Sequence, residues 1–458
     1  MARVGGQLIT VEEFKTRFAL TPYFGQFPDD PQVKLLALSS LIGEKLLSQK
    51  AQEGQLHSTD KFQAFSRQME KEALIEGVLH DLFSGIEISN EELKTAHKNS
   101  QRALQVEEWV FATAEQARTA RVNLLNQKNQ SNSDLPESRI YRVKWGDSDY
   151  EIEDILWKLK TGEISELVPF QNHFYLFRIA GDFQNEQIPP FQQARPQIQR
   201  MLEKRKKEQI YRYFFKKLMV GKKTHVPPEI LNYIAQQMEL ALDLHAASLE
   251  DSLKLNPKLL SEMDYLRVAQ KLDQRLQENF VTFDDGSVWT IGDFLRNLRY
   301  GPYPLNYSSR GTFRASLHKM AVMMMEQEYV AKEGLRRGLQ KSLAVKRKAQ
   351  IWKDSFLADQ MRLQIIRSNP KNEQHRSSAS NQAMTAGGMG LERLDRFLTD
   401  ALQSRPVQVN RSLLDSLQVK SLQVVAFKRH FPGRKAAPDL LPLDQLQSYF
   451  SEFYKLVK

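Results

Sequence analysis

Apolar and polar positions recur along this chain with two different periods, and the switches between them lay out its organisation. VGGQLIT reads as a strand and turn, and a helix follows from Thr10. Thr10 is a candidate N-cap, with Glu13 three residues later completing a capping box. After Pro22 and Pro28, Leu35, Leu38, Ile42 and Leu46 fall at helical spacing until Gly54, a natural helix stop. Residues 60–83 give another amphipathic helix, and SNEELKTAH starts a shorter one with Asn90 as its cap.

From Val106 the period changes. VEEWVFA reads as a strand, TAEQARTARVNLL as a helix, NQKNQSNSDLPES as a polar loop, IYRVKW as a strand and EIEDILWKLKTG as a helix. Two further strands, ELVPF and HFYLFRI, flank the polar turn Gln171-Asn172. In the last of them Phe174, Leu176 and Arg178 point one way, and His173, Tyr175, Phe177 and Ile179 the other. This β-α-β-α-β-β order predicts a small α+β domain. A helix over 191–220 follows the IPPF break, and THVPPEILNYIAQQM opens a helical block that runs to 279.

Beyond residue 280 the chain repeats itself. Gly6, Thr10, Phe14, Pro22 and Tyr23 recur as Gly286, Thr290, Phe294, Pro302 and Tyr303, a constant offset of 280. Ala51, Glu53 and Gly54 recur in the same register as Ala331, Glu333 and Gly334. HVPPEILNYI (225–234) finds a second echo in QVNRSLLDSL (408–417). The pattern predicts two related helical units with the α+β domain inserted in the first. Residues 369–390, rich in Ser, Asn, Gln and Gly without apolar periodicity, read as a linker. LDQLQSYFSEFYKLVK reads as a short amphipathic helix that docks elsewhere.

Composition narrows the chemistry. The absence of cysteine excludes disulfides, thiolate nucleophiles and the usual structural zinc sites, and it suits an oxidising compartment. The nine histidines are scattered, and no HExxH, GxSxG, GxxxxGK[ST] or GxGxxG occurs. Glu151 and Glu153 start a helix, where carboxylates favour the macrodipole. No metal or cofactor is expected. The net charge is +10, concentrated in 195–223 and 336–353, and a solvated helix face is its plainest reading.

Two features suit polypeptide binding. Met320, Met323, Met324 and Met325 lie within a turn and a half, and thioethers refit to different partners. Trp109, Phe111, Trp145, Phe170, Phe174, Tyr175 and Phe177 crowd the small domain.

GDSDYEIEDILWKLKTGEISELVPFQNHFYLFRIAGDF resembles the C-terminal half of a parvulin-type peptidyl-prolyl isomerase, and VEEWVFATAEQA resembles its first strand and helix. LITVEEFKTRF with LLALSSLIGEKLLSQKAQEGQL is similar to the N-terminal domain of SurA-like periplasmic chaperones. The resemblance implies two histidines facing a proline pocket, but the first position here carries Glu108 and the second Tyr175. His173 falls where the family has its turn glycine, and the helix and loop that carry part of the pocket are shortened.

The resemblance therefore implies a mainly helical α+β fold. Its parts are a SurA-like N-terminal domain (1–105), a degenerate parvulin-like domain (106–183) and a helical connector completing the first unit (184–279). A duplicated unit (280–368), the linker (369–390) and a C-terminal helical segment (391–458) follow. It further implies a periplasmic chaperone for unfolded outer-membrane or secreted proteins, its leader or lipid anchor lost from this chain. Trp109, Phe111, Trp145, Phe174, Tyr175, Met320, Met323 and Met324 would hold peptide, with no confident catalytic residue. The basic helices allow contact with a membrane surface. An active isomerase is the alternative; nucleic-acid binding by those helices is less expected, since no stacking or helix-turn-helix pattern accompanies them.

Overall fold

The structure, a computed structural model, describes residues 1–25, 27, 30–126, 137–170, 173–185, 187–243, 258–368, 379–419, 438–441, 443 and 445–457, with backbone alone for 379–388. Among these residues the chain is mainly helical with three small antiparallel sheets, the α+β class that the two periods predict. It divides into two compact units, residues 1–80 with 218–458, and residues 81–217. Both divisions fall inside helices rather than at 105/106 and 183/184. A helix satisfies its own backbone, so it passes from one unit to the next without a change of pattern.

In the first unit, β1 (Ala2–Val4) and β2 (Gln7–Ile9) form a hairpin. Its turn holds Gly5 at a φ of +55°, a conformation that favours glycine. α1 (Val11–Leu20) is capped by the Thr10 hydroxyl, which accepts from Glu13 N at 3.0 Å. Glu13 does not complete the predicted capping box. Its carboxylate meets the Lys45 ammonium at 2.8 Å, a charge-assisted contact that outcompetes a backbone N–H. α2 (Pro22–Gly25), α3 (Pro31–Glu53, closed by Gly54) and α4 (Asp60–Phe83) follow the predicted apolar spacing.

The second unit contains α5 (Asn90–Ser100), β3 (Arg102–Phe111), α6 (Ala114–Asn126) and β4 (Arg139–Lys144). It continues through α7 (Tyr150–Leu156), β5 (Val168–Phe170), β6 (His173–Gln184) and most of α8 (Phe191–Met219). Ser89, not Asn90, caps α5, in a capping box with Glu92. The four strands form one antiparallel sheet in the order β4-β3-β6-β5. The Gln171-Asn172 turn and most of the polar loop before β4 lie outside the described residues.

The first unit resumes with α9 (Pro228–Ala241), α10 (Glu262–Leu272), β7 (Asn279–Thr282), β8 (Val288–Thr290), α11 (Ile291–Tyr300) and α12 (Arg310–Arg336). α13 (Leu343–Arg367), α14 (Ala379–Ser404), β9 (Val407–Val409), α15 (Arg411–Asp415) and α16 (Gln447–Val457) complete it. Hairpin, capped helix, long helix, short 3-10 turn and second long helix thus occur twice in the same order. Thr10 and Thr290 cap equivalent helices, and Gln55 and Gly338 both adopt positive φ before the 3-10 turn. Thr290→Ala and Thr10→Ala should each lower stability by about 1 kcal/mol. Thr290→Ala should cost more, since its hydroxyl also donates to Asp293 Oδ2 at 3.0 Å. Urea titration of the two variants checks the order.

Two expectations need correction. The connector 184–279 does not complete the first hairpin's core. His225 pairs its backbone with Thr282 of β7, and Ile230, Ile234 and Met238 pack with Phe280, Phe294 and Leu298. The first hairpin is completed from the far end of the chain, where β9 pairs with β1. Leu394, Leu398, Tyr449 and Phe453 bury Phe14, Phe18, Leu38 and Ile42. The echoing segments HVPPEILNYI and QVNRSLLDSL serve opposite halves in the same way, because neither hairpin and helix can bury its apolar face alone. The second correction concerns the linker. Residues 379–390 belong to α14, where Ala, Gln and Met favour a helix despite the lack of period; residues 369–378 lie outside the described residues.

Candidate functional site

Strand alternation in the second unit gives its sheet two different faces. Trp109 pairs with Leu176 and Phe111 with Phe174 across β3 and β6. Their side chains pack under Ala117, Ala120 and Leu124 of α6, with Ile164 beside them. Trp109 and Phe111 are buried and Phe174 half-buried. Arg178 lies over the Trp109 ring at 5.3 Å and donates to Glu107 through Nε at 2.9 Å. Trp109 and Phe111 are therefore core, and leave the set expected to touch peptide. With Leu176 and the partly buried Phe174 and Leu167 they fill the small core on that side of the sheet.

The opposite face carries Glu108, Val110, Tyr141, Phe170 and Tyr175 above a floor of Val106, Val168, Phe177 and Ile179 packed on α7. The alternation predicted for HFYLFRI holds, and it brings the two family positions to one surface. Tyr175 pairs with Val110, one strand step from the Glu108–Phe177 pair. Its ring stacks on Phe177 at 5.9 Å and meets the edge of Phe170 at 6.2 Å. Val110 is 41% exposed.

Glu108 is not a free base on this face. Its Oε2 accepts a hydrogen bond from Tyr141 Oη at 2.9 Å. Burial, and then the neighbouring Glu108 carboxylate, push the Tyr141 phenol well above its ordinary range, so it stays a proton donor. Sequence reading missed Tyr141. Register alone would have found it, because Tyr141 and Glu108 lie on the same side of adjacent strands.

The remaining expected residues lie elsewhere. Trp145 packs with Leu93, Ala194 and Ile198, its ring covered by Arg205 at 4.3 Å. Met320, Met323 and Met324 are buried in the core of the second hairpin, with Phe313 and Leu317. They fill volume inside the fold and present no adaptable surface, the commoner fate of a methionine stripe on a helix.

Glu153, one of the paired carboxylates, accepts from Gly146 N at 2.6 Å and pairs with Arg205. Burial raises its pKa against both partners. Its neighbour Glu151 meets Arg212 Nη1 at 2.8 Å. These pairings leave the two carboxylates structural. They also occupy part of the basic stretch 195–223, where Lys206 further pairs with Glu92 and Lys222 with Asp284.

Among the described residues no cluster of His, Asp and Glu fits a metal ion, and no helix is long and apolar enough to cross a membrane. Set against protein-family models, curated proteins and solved structures, the chain matches none.

Proposed function

We propose that the chain is a chaperone of the bacterial cell envelope that holds unfolded, aromatic-rich polypeptide, such as outer-membrane protein precursors. Its residue 81–217 unit acts as a parvulin-like docking domain that catalyses little. The reading rests on the resemblance of the LKTGEIS and ITVEEF stretches, and on one observation above the rest. Both family histidine positions reach the same open face, where a half-exposed Tyr175 set among Phe170, Phe177 and Val110 forms an aromatic platform. Such a platform takes proline or aromatic side chains by apolar contact.

Catalysis asks for more. Lowering the barrier to rotation about an X-Pro bond requires groups that favour the twisted amide over the planar one. On this face the Glu108 carboxylate is held by Tyr141, and neither family histidine is present. Duplicated helical units and a net charge of +10 would add further client contacts and attraction to acidic segments or anionic headgroups.

The full chain should suppress aggregation of a urea-unfolded outer-membrane protein diluted into buffer. Substituting Val110→Asp together with Tyr175→Asp should weaken that holding about tenfold, equivalent to 1.4 kcal/mol, without changing the circular dichroism. A protease-coupled proline-peptide assay should show no turnover. Turnover that Tyr175→Ala abolishes would instead establish the isomerase reading, and fractionation of the expressing cell tests the envelope assignment separately.

A further inference from the structure

The two halves of the first unit share an element order, and one buried position of their second helices carries opposite charges, Lys71 in one half and Asp354 in the other. The long first helices, α3 and α12, align at the offset of 280 set by Ala51 and Ala331. The second helices, α4 and α13, begin at Asp60 and Leu343 and align at 283, because α12 is longer than α3. Packing is crosswise. Ala51 of α3 shares a cluster with Leu357 of α13, and a Cβ on Gly334 of α12 would stand 3.3 Å from Leu74 Cβ of α4.

Leu74 and Leu357 are equivalent residues, so apolar burial alone does not tell one second helix from the other. The polar residues do. In the α3–α13 interface, Lys45 Nζ meets Asp354 Oδ2 at 2.8 Å and Ser48 Oγ donates to Asp354 Oδ1 at 3.1 Å. In the α4–α12 interface, Lys71 Nζ meets Glu328 Oε2 at 2.8 Å. Lys71 stands at the position equivalent to Asp354, and Glu328 at that of Ser48. The cation belongs to the first helix in one interface and to the second helix in the other.

Pairing each first helix with its own neighbour would set Lys45 against Lys71 and Glu328 against Asp354. These groups are 1–20% exposed, so water and salt screen little of that repulsion. The local alternative also needs opposing. Only the short 3-10 connection separates α3 from α4, whereas the Lys45–Asp354 contact closes 309 positions, and chain entropy favours the shorter loop.

We propose that this charge reversal addresses each long helix to the second helix of the other half, so that the chain assembles crosswise and rejects the local pairing. Glu13 also pairs with Lys45, and Gln350 donates to Asp354, so the address is held from α1 as well as from α13. The same logic accounts for the helical unit occurring twice within one chain. In neither half does the second helix carry the charge that its own first helix would need from it: α4 presents Lys71 where Lys45 meets Asp354, and α13 presents Asp354 where Glu328 meets Lys71.

The chain has no cysteine, so introduced pairs report the pairing without background. Ala51→Cys with Leu357→Cys reads the crosswise arrangement, and Ala51→Cys with Leu74→Cys reads the local one. Each pair is placed in the full chain and oxidised during refolding from urea. With native charges only the 51–357 link should form. Exchanging the second helices' charges, Lys71→Asp with Asp354→Lys, should lower that link at least about tenfold and raise the 51–74 link. Full reversal, adding Lys45→Asp, Glu328→Lys and Glu13→Gln, should restore 51–357. An exchanged chain with native circular dichroism and native yield of the 51–357 link overturns the proposal. Should the exchanged chain fail to fold, full reversal decides: recovery of the fold with that link supports the address, and failure to recover it overturns the idea.

Discussion

Replacing Arg17 by methionine is expected to destabilise the chain by about 3–5 kcal/mol, the cost of leaving one member of a buried ion pair without the other. Both Arg17 and Glu44 have fully buried side chains. The guanidinium donates twice, from Nη1 to Glu44 Oε1 at 2.8 Å and from Nη2 to Oε2 at 2.6 Å. Nη2 also donates to the carbonyl of Asp439 at 2.9 Å, tying the C-terminal segment to α1. Without Arg17 the buried Glu44 carboxylate loses both of its guanidinium hydrogen bonds, and the Asp439 carbonyl loses a charged donor.

The other half of the fold shows what the double substitution should do. At an offset of 280, Arg17 corresponds to Asn297 and Glu44 to Met324, and Met324 is fully buried. An equivalent core therefore closes around a thioether where this one closes around an ion pair. Arg17→Met combined with Glu44→Met should recover most of the loss, since removing both partners abolishes the unpaired charge. The measurement is the urea midpoint of wild type, both single variants and the double. A double variant no more stable than Arg17→Met would show that the ion pair, not shape, holds this core.

The repeat explains how much of this was legible in the sequence. Thr10 and Thr290, and Phe14 and Phe294, announced two equivalent stretches, because caps and apolar spacing are local signals; Gly334, which echoes the helix stop Gly54, lies inside α12 instead. The strand alternation of HFYLFRI placed Tyr175 on the correct face for the same reason. Crosswise assembly was not legible, since an apolar stripe on α3 states that it is buried and not against what. The charges did contain the answer, but only in pairs aligned across the repeat: Asp354 with Lys71, and Ser48 with Glu328. The aromatic count of the small domain misled for a related reason. Trp109 and Tyr175 are both aromatic, and only the register of β3 against β6 shows that one lies under α6 and the other opens outward.

Phe453→Ala carries the second large expectation, a loss of about 3–5 kcal/mol from a side chain with no exposure at all. α16 reaches the first core over a distance that no local pattern signals. The Tyr449 amide N donates to Asp395 Oδ1 at 2.8 Å, and its Oη donates to the Ser39 carbonyl at 2.7 Å, so the helix enters in one orientation. The approach is close at Gly43, where a side chain would displace its neighbours. A Cβ there would meet Leu443 Cδ1 at 2.5 Å and the Tyr449 hydroxyl at 3.2 Å. Phe453 then fills the space among the residues of α3 and α14. Emptying it should loosen the first core while the second core, built from residues 230–329, keeps its packing. Limited proteolysis of the variant should therefore cut within residues 1–47 and 391–457 well before it cuts within 280–329. Equal sensitivity in both regions would show that the two cores unfold as one, and that the C-terminal helix secures the whole unit rather than the half it covers.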